Sequence, residues 1–332
     1  MTENAFLKHT GVDVPLICGA MYPCSNPELI AAVAKAGGMG VIQPISMSFV
    51  HKHELREGIR LIRRTTDKPI GFNAIVEKSS QVYLDRMKRW VDIALDEGVR
   101  FFVTALGNPD WVAKLVHSVG GVVYHDVTER KWAQKALDAG VDGLICVNRQ
   151  AGGHAGEQAP ERLFEELGDL GVPLVCAGGV GDEQTFARML GLGYAAVQMG
   201  TRFIATEECH AHDDYKRAIL KAQAHDIVLT DKISGVPVAV IETEYVKKIG
   251  TKAGFVMKRM LRHPKLKHYA RMFYTAKSIW QLKQASTKGG SYRDYFQAGQ
   301  SVSGVREIES VEAIVRRYAD ALQANTPSAR PS

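Results

Sequence analysis

Short apolar runs, many rich in β-branched residues, recur along the chain up to Phe203: PLICGAM (15–21), GMGVIQ (38–43), PIGFNAIV (69–76), RFFVTAL (100–106), VVYHDV (122–127), GLICVN (143–148), PLVCAGG (173–179) and AAVQMGTRF (195–203). Each is too short and too continuously apolar for an amphipathic helix, and fits a strand covered on both faces. Stretches with helical spacing separate them. In the first, Asn26 is placed to cap, Pro27 to open the helix, Leu29, Ile30 and Val33 form one stripe, and Gly37 stops it. Before the last run Asp182 can cap, Phe186, Met189 and Leu190 face inward, and Gly191 is the expected stop.

Eight strand–helix units within about 205 residues predict an α/β fold, a closed (β/α)8 TIM barrel. An open doubly wound sheet is the rival, but its first βα turn needs a GxGxxG fingerprint and the segment there is GAMYPCSNP. Past residue 210 the rhythm changes: residues 211–224 and 245–287 read mainly as helix, and Ser310 precedes an amphipathic stripe of Val311, Ile314, Val315, Tyr318 and Leu322. The division expected is a barrel core over 1–222, a mainly helical, basic insertion or lid over 223–300, a terminal helix docked on the barrel within 301–325, and a disordered tail at 326–332.

At 332 residues with 45% hydrophobic content the chain can bury a large core. No apolar run is long enough to span a bilayer. MTENAFLKHTGVD has neither a basic n-region nor an apolar h-region, and cytoplasmic localisation is the expectation. The five cysteines lack CxxC spacing, and Cys18, Cys146 and Cys176 sit inside apolar runs, which suggests buried thiols. No HExxH or paired-Cys pattern supports a metal. The net charge of +6 is uneven, because Lys247 to Lys288 carries twelve Lys and Arg and no acid. That segment reads as a solvated helical face or as an attractor for an anionic cosubstrate. No nucleic-acid-binding module accompanies it.

Candidate chemistry gathers where strands end, the face on which barrels place their active sites. NRQAGGHAGE (148–157) sets one imidazole, His154, among glycines directly behind the sixth run. Gly178 and Gly179 follow the seventh run, and Gly200 and Thr201 close the eighth. Barrels bind phosphate there through backbone N–H groups, to which a threonine hydroxyl can add a donor.

AGGHAGE, CAGGVGD, VQMGTRF, PLICGAM and KPIGFNAIV together resemble the FMN-dependent nitronate monooxygenase family, formerly the 2-nitropropane dioxygenases, over roughly residues 10–220. Its relatives include NADH:quinone reductases and enoyl-acyl-carrier-protein reductase II, and QAGQS (297–301) is similar to a late element of those chains. The resemblance implies FMN, with phosphate contacts at Gly178, Gly179, Gly200 and Thr201, preceded by Gln198 and Met199. It puts Gly19, Ala20, Met21 and Asn73 beside the flavin ring, gives Gly152 and Gly153 the room the flavin needs, and makes His154 the catalytic histidine. Asp126 stands, beside His125, where several quinone reductases carry lysine, and Asn148–Arg149–Gln150 before AGGH is a second departure.

The activity implied is oxidation of alkyl nitronates with O2, with His154 as base or as positioner of the substrate anion, since a neutral imidazole suits removal of a proton alpha to a nitro group. The alternative is an NAD(P)H-dependent flavin reductase acting on quinones or an enoyl thioester. A flavin-less barrel binding a phosphorylated metabolite is a third reading. The expected partner is a small molecule, a nitronate or another electron donor or acceptor, NAD(P)H included, with no nucleic acid and no membrane.

Overall fold

The computed structural model describes residues 4–77, 81–232, 237–252 and 295–325. Each of the eight apolar runs contains a strand: β1 (Leu16–Cys18), β2 (Met39–Ile42), β3 (Ile70–Ile75), β4 (Phe101–Ala105), β5 (Val122–Val127), β6 (Gly143–Val147), β7 (Leu174–Ala177) and β8 (Ala196–Met199). They pair in sequence order, all parallel, and β1 closes on β8 through Ile17 opposite Gln198. This is the (β/α)8 barrel that the alternation predicts.

Side chains on the strands divide by parity. Cys18, Phe72, Phe102, Leu144, Cys146 and Cys176 point out beneath the helices. Ile17, Val41, Val103, Tyr124, Ile145 and Val175 fill the interior. Burial pushes the Cys18 and Cys146 thiols up and Cys176 to about 12, so all three stay protonated, apolar packing groups.

The N-terminal end is closed by a helix that the sequence reading did not contain, α1 (Ala5–Thr10). Asn4 caps it, its Oδ1 accepting from Phe6 N at 2.9 Å, while its Nδ2 donates to Ala195 O at 2.8 Å. Phe6, fully buried, meets Phe101 and Tyr124 edge-on at 5.9 and 6.0 Å. Burying such a ring contributes about 1.5–3 kcal/mol.

Helix ends bring two corrections. Asn26 precedes α2 (Pro27–Lys35) but makes no capping bond. Its Nδ2 instead donates to Glu28 and to Glu208 O, and its Oδ1 accepts from His210 N. The side chain is spent on a distant segment. In α8 (Glu183–Leu192) Asp182 caps through Thr185 N at 2.7 Å, but Gly191 lies inside the helix and Gly193, at φ +119°, ends it.

Beyond α9 (Thr201–Ile204) and α10 (Asp213–Lys221), residues 223–252 hold an antiparallel ribbon, β9 (Ile227–Thr230) with β10 (Val238–Ile241), and then α11 (Glu244–Ile249). The reading of 223–300 as mainly helical did not contain this ribbon: IVLT and VAVI each hold three β-branched residues, which favour strands. Most of the basic stretch, including Lys258, Arg259 and Arg262, lies outside the described residues, as does 326–332.

The terminal helix α12 (Val311–Asn325) packs on α2 and α8, with Ser310 Oγ accepting from Ala313 N and Tyr318 stacked on Phe186 at 5.1 Å. Arg202, buried just past β8, donates to Ala205 O and Glu307 O and lies 3.4 Å from Glu309, which also pairs with Arg317 of α12. These bonds tie the helix to the end of the last barrel strand. Among the described residues no helix is long and apolar enough to cross a membrane.

Candidate active site

The His154 loop begins at Asn148, fully buried one residue beyond β6. Its N–H donates to Ala177 O at 3.0 Å, its Nδ2 donates to Gly178 O at 3.0 Å, and its Oδ1 accepts from Gln150 N at 2.8 Å. One amide thus fastens the loop to the end of β7. The loop returns through Arg149 N to Gln158 O and Gly156 N to Asn148 O.

Its outer side is held by segments that lie much later in the sequence. Ala239 of β10 donates to Gly153 O at 2.7 Å, and Gln300 N donates to Gln150 O at 2.9 Å. Gly152 packs so closely on the 298–299 backbone that a Cβ there would lie 2.9 Å from Gly299 N. Gly299 N in turn donates to Thr201 Oγ1 at 3.0 Å, which leaves that hydroxyl its own proton to give. The segment is pinned by Tyr215, which stacks on Phe296 at 4.7 Å and donates to Gln297 O.

His154 itself is open to solvent, yet protein surrounds its ring closely enough that desolvation lowers its pKa from the ordinary value. The neutral imidazole is therefore favoured at pH 7 and can accept a proton.

The ends of β7, β8 and β1 present bare backbone. Gly178 and Gly179 both adopt left-handed conformations, φ +116° and +83°, and a Cβ on Gly178 would sit 2.5 Å from Ala151 N. Gly19 donates to Met199 O at 3.0 Å, and the Gln198 side chain occupies the space beside its Cα. Met21 Sδ lies 3.3 Å from the position of a Cβ on Gly200. Ala20 is half-buried beside them. Glycine at these strand ends keeps main-chain N–H groups clear of Cβ atoms, the setting in which barrels bind a phosphorylated group.

The structure therefore brings the candidates on β1, β7 and β8 together with the His154 loop. Asn73 stands apart, buried on β3 across the barrel from β7, with a single long hydrogen bond of 3.5 Å to Val103 O among the described residues. His125 faces outward, its Nδ1 2.8 Å from Thr104 Oγ1, and burial depresses its pKa to about 4. Glu157 is exposed. His212 caps α10 and His210 approaches Glu28. No group of three or more His, Cys, Asp or Glu among the described residues could hold a metal. Sequence reasoning missed the Asn148 clasp, whose only signal was an amide ending an apolar strand, and the inward placement of Asp126.

Comparison with known proteins places this arrangement. The nitronate monooxygenase family model matches residues 4–319. The (3aS,4S,5R,7aS)-5-hydroxy-7a-methyl-1-oxo-octahydro-1H-indene-4-carboxyl-CoA dehydrogenase of Mycobacterium tuberculosis is 28% identical, over 92% of each chain. A nitronate monooxygenase of Pseudomonas aeruginosa is 30% identical over 71% of this chain and 78% of its own. Among solved structures, FabK from Thermotoga maritima superposes with a TM-score of 0.81 at 28% identity, covering 98% of this chain and 97% of that one.

Proposed function

Because the chain belongs to the nitronate monooxygenase family and is a flavin oxidoreductase, we propose that it binds FMN at the ends of β7, β8 and β1. His154, on this reading, moves a proton of a substrate carbon that lies beside an electron-withdrawing group. Gly178, Gly179, Gly200 and Thr201 would hold the phosphate. Gly19, Ala20, Met21, Gln198 and Met199 would run along the ring, with Asn73 facing them and Gly152 and Gly153 leaving it room. FMN, when bound, supplies the electron-accepting chemistry. The protein supplies placement and proton transfer.

The observation that carries this reading is the setting of His154: an imidazole held toward its neutral form, on a loop fastened at both sides, beside the glycine-rich ends of β7 and β8. A neutral imidazole takes the proton alpha to a nitro group, or orients the nitronate anion once formed. Oxidation of an alkyl nitronate with O2 is accordingly the conclusion drawn here.

A second reading is favoured by one observation. The carboxyl-CoA dehydrogenase of M. tuberculosis aligns over 92% of this chain, more of it than the nitronate monooxygenase of P. aeruginosa does. A thioester also acidifies its alpha C–H, so the same imidazole would serve, and the Lys247–Lys288 stretch would attract the phosphates of a CoA ester or of NAD(P)H. The test is anaerobic: purified protein is mixed in turn with propyl-1-nitronate, an acyl-CoA, NADH and NADPH while its visible spectrum is followed. Bleaching by the nitronate alone supports the first reading; bleaching by acyl-CoA or NAD(P)H without nitronate moves the assignment to the second. Acid release of FAD, or of no flavin after reconstitution, would defeat both.

A further inference from the structure

The barrel mouth holds a second titratable group that the proposed function leaves idle. Asp126 is the last inward-facing residue of β5: Tyr124 fills the interior one layer deeper, while Val123 and Val127 face the helices. Its register partner on β6 is Ile145, an apolar interior residue, and on β4 Val103 lies beside Tyr124 one layer deeper. Among the described residues nothing donates a hydrogen bond to its carboxyl, and Oδ1 is sealed from solvent without a partner.

An ionised carboxylate in that place would have no protein donor and water at one oxygen only. Burial pushes its pKa up to about 7, so the neutral acid predominates below neutral pH and makes up about half of the population at pH 7. A neutral carboxyl is a hydrogen-bond donor as well as an acceptor. Its placement leaves it only the mouth to donate into.

We propose, building on the flavin-site reading above, that Asp126 donates a hydrogen bond from its protonated carboxyl to the substrate oxygen on which negative charge collects when His154 removes the alpha proton. The C–H bond breaks, its proton passes to the imidazole, and its electron pair delocalises onto the nitro or thioester oxygen. Asp126 keeps its own proton throughout, so no further acid or oxidant is consumed. The neutral state matters because an ionised Asp126 would repel that oxygen. A buried carboxylic acid held neutral to donate in this way is an established catalytic pattern, and removing one such donor typically costs on the order of 10²–10³ in rate.

The other titratable groups on the elements around Asp126 are few. β4 carries none, and β6 has only Cys146, on its outer face. β5 itself has Tyr124, whose hydroxyl lies 3.0 Å from His9 Nδ1, and the outward His125. The loop after β6 adds Arg149, His154 and Glu157.

The experiment uses flavin-loaded protein and nitrate, an inert planar oxyanion, titrated by its perturbation of the flavin spectrum between pH 5 and 9. It is run in a His154→Asn background so that imidazole protonation contributes nothing. The expected nitrate Kd is flat below pH 7 and rises roughly tenfold per pH unit above it, as a single ionisation requires. Asp126→Asn, which retains an amide donor, should abolish the pH dependence while holding Kd near its low-pH value. Asp126→Leu should weaken nitrate at least about tenfold at every pH and, with His154 intact, lower turnover by about 10²–10³ at unchanged flavin content. Nitrate binding without pH dependence in flavin-loaded protein, or Asp126→Leu binding as tightly as its parent, would overturn this inference alone. Failure of the wild-type protein to hold flavin would overturn the parent reading and this one with it.

Discussion

At the N-terminal end of the barrel, Phe6, Phe101 and Tyr124 meet ring to ring at centroid distances of 5.2–6.0 Å. At the C-terminal end, Gly152 lies backbone to backbone against Gly299, Gly178 against Ala151, and Asp126 keeps an oxygen with no partner. The first end is built mainly on ring packing, edged by the Asn4–Ala195 and His9–Tyr124 hydrogen bonds; the second brings main chains close together and leaves polar atoms at its surface. Barrels in general separate stability from chemistry in this way, and here the contrast runs along single strands: β5 carries Tyr124 in the plug and Asp126 in the mouth, two residues apart. Substitutions at the two ends should therefore move different observables.

The largest effect is expected at His154. With asparagine there, turnover of a neutral nitroalkane should fall about 10²–10⁴-fold, the usual range for loss of a general base, while a preformed nitronate loses less. Flavin content and melting temperature should hold, since the phosphate cradle does not use this side chain. Equal losses on both substrates would reassign His154 to positioning the anion.

Phe6→Ala should do the reverse: about 3–5 kcal/mol lost in urea unfolding, the cost of deleting a buried aromatic ring, with kcat unaltered. A fall in kcat that matched the stability loss would show that the two ends are coupled.

Gly178→Ala belongs to the mouth, but acts on ligand affinity. Its φ of +116° and the 2.5 Å approach of a Cβ to Ala151 N imply strain of about 1–3 kcal/mol. Because that strain lies within the protein, the apoprotein should lose about this much unfolding free energy, and as the β7 turn shifts to relieve it, half-reconstitution should need a higher FMN concentration. Undiminished flavin affinity would remove the β7 glycines from the cofactor site.

How much of this was legible in the sequence follows from the same contrast. The strands could be read because residues buried on both faces leave continuous apolar runs. α1 could not, since it is six residues long and held by little more than Phe6 and its Asn4 cap. The ribbon was obscured by helical spacing on both sides of it. Gly191 and Gly193 offered two stops, and only the left-handed backbone at Gly193 separates them. Within the mouth, the strand-end glycines and His154 stood out because a barrel brings all its strand ends to one face. The Asn148 clasp, the Gly152–Gly299 contact and the Ala239–Gly153 bond join segments distant in the chain, which no local pattern encodes. Asp126 and His125 are neighbours, and the sequence alone does not choose which of them faces in, because a shift of one residue exchanges the two faces of a strand.

That choice of faces has a consequence for how the fold responds to acid. Burial lowers His125 to about 4, below its ordinary 6.5, so alone it would make the protein lose stability as pH falls from 6.5 toward 4. Asp126 is raised to about 7 from an ordinary 3.8, so alone it would make the protein lose stability as pH rises from about 4 toward 7. The slopes amount to roughly 3 kcal/mol for the histidine and roughly 4 kcal/mol for the aspartate across their windows. Between pH 4 and 6.5 the unfolded chain carries its proton on the histidine and the folded chain carries it on the aspartate, so folding neither takes up nor releases one at this pair. Unfolding free energy should consequently be nearly flat with pH for these two neighbours, and each single substitution should expose the slope its partner had cancelled: Asp126→Asn a decline toward acid, His125→Gln a decline toward neutrality. Parallel curves for wild type and both variants would show that the two side chains do not offset each other. One strand, by turning an imidazole to the helices and a carboxyl to the mouth, would thus act as a proton exchanger with no net flux.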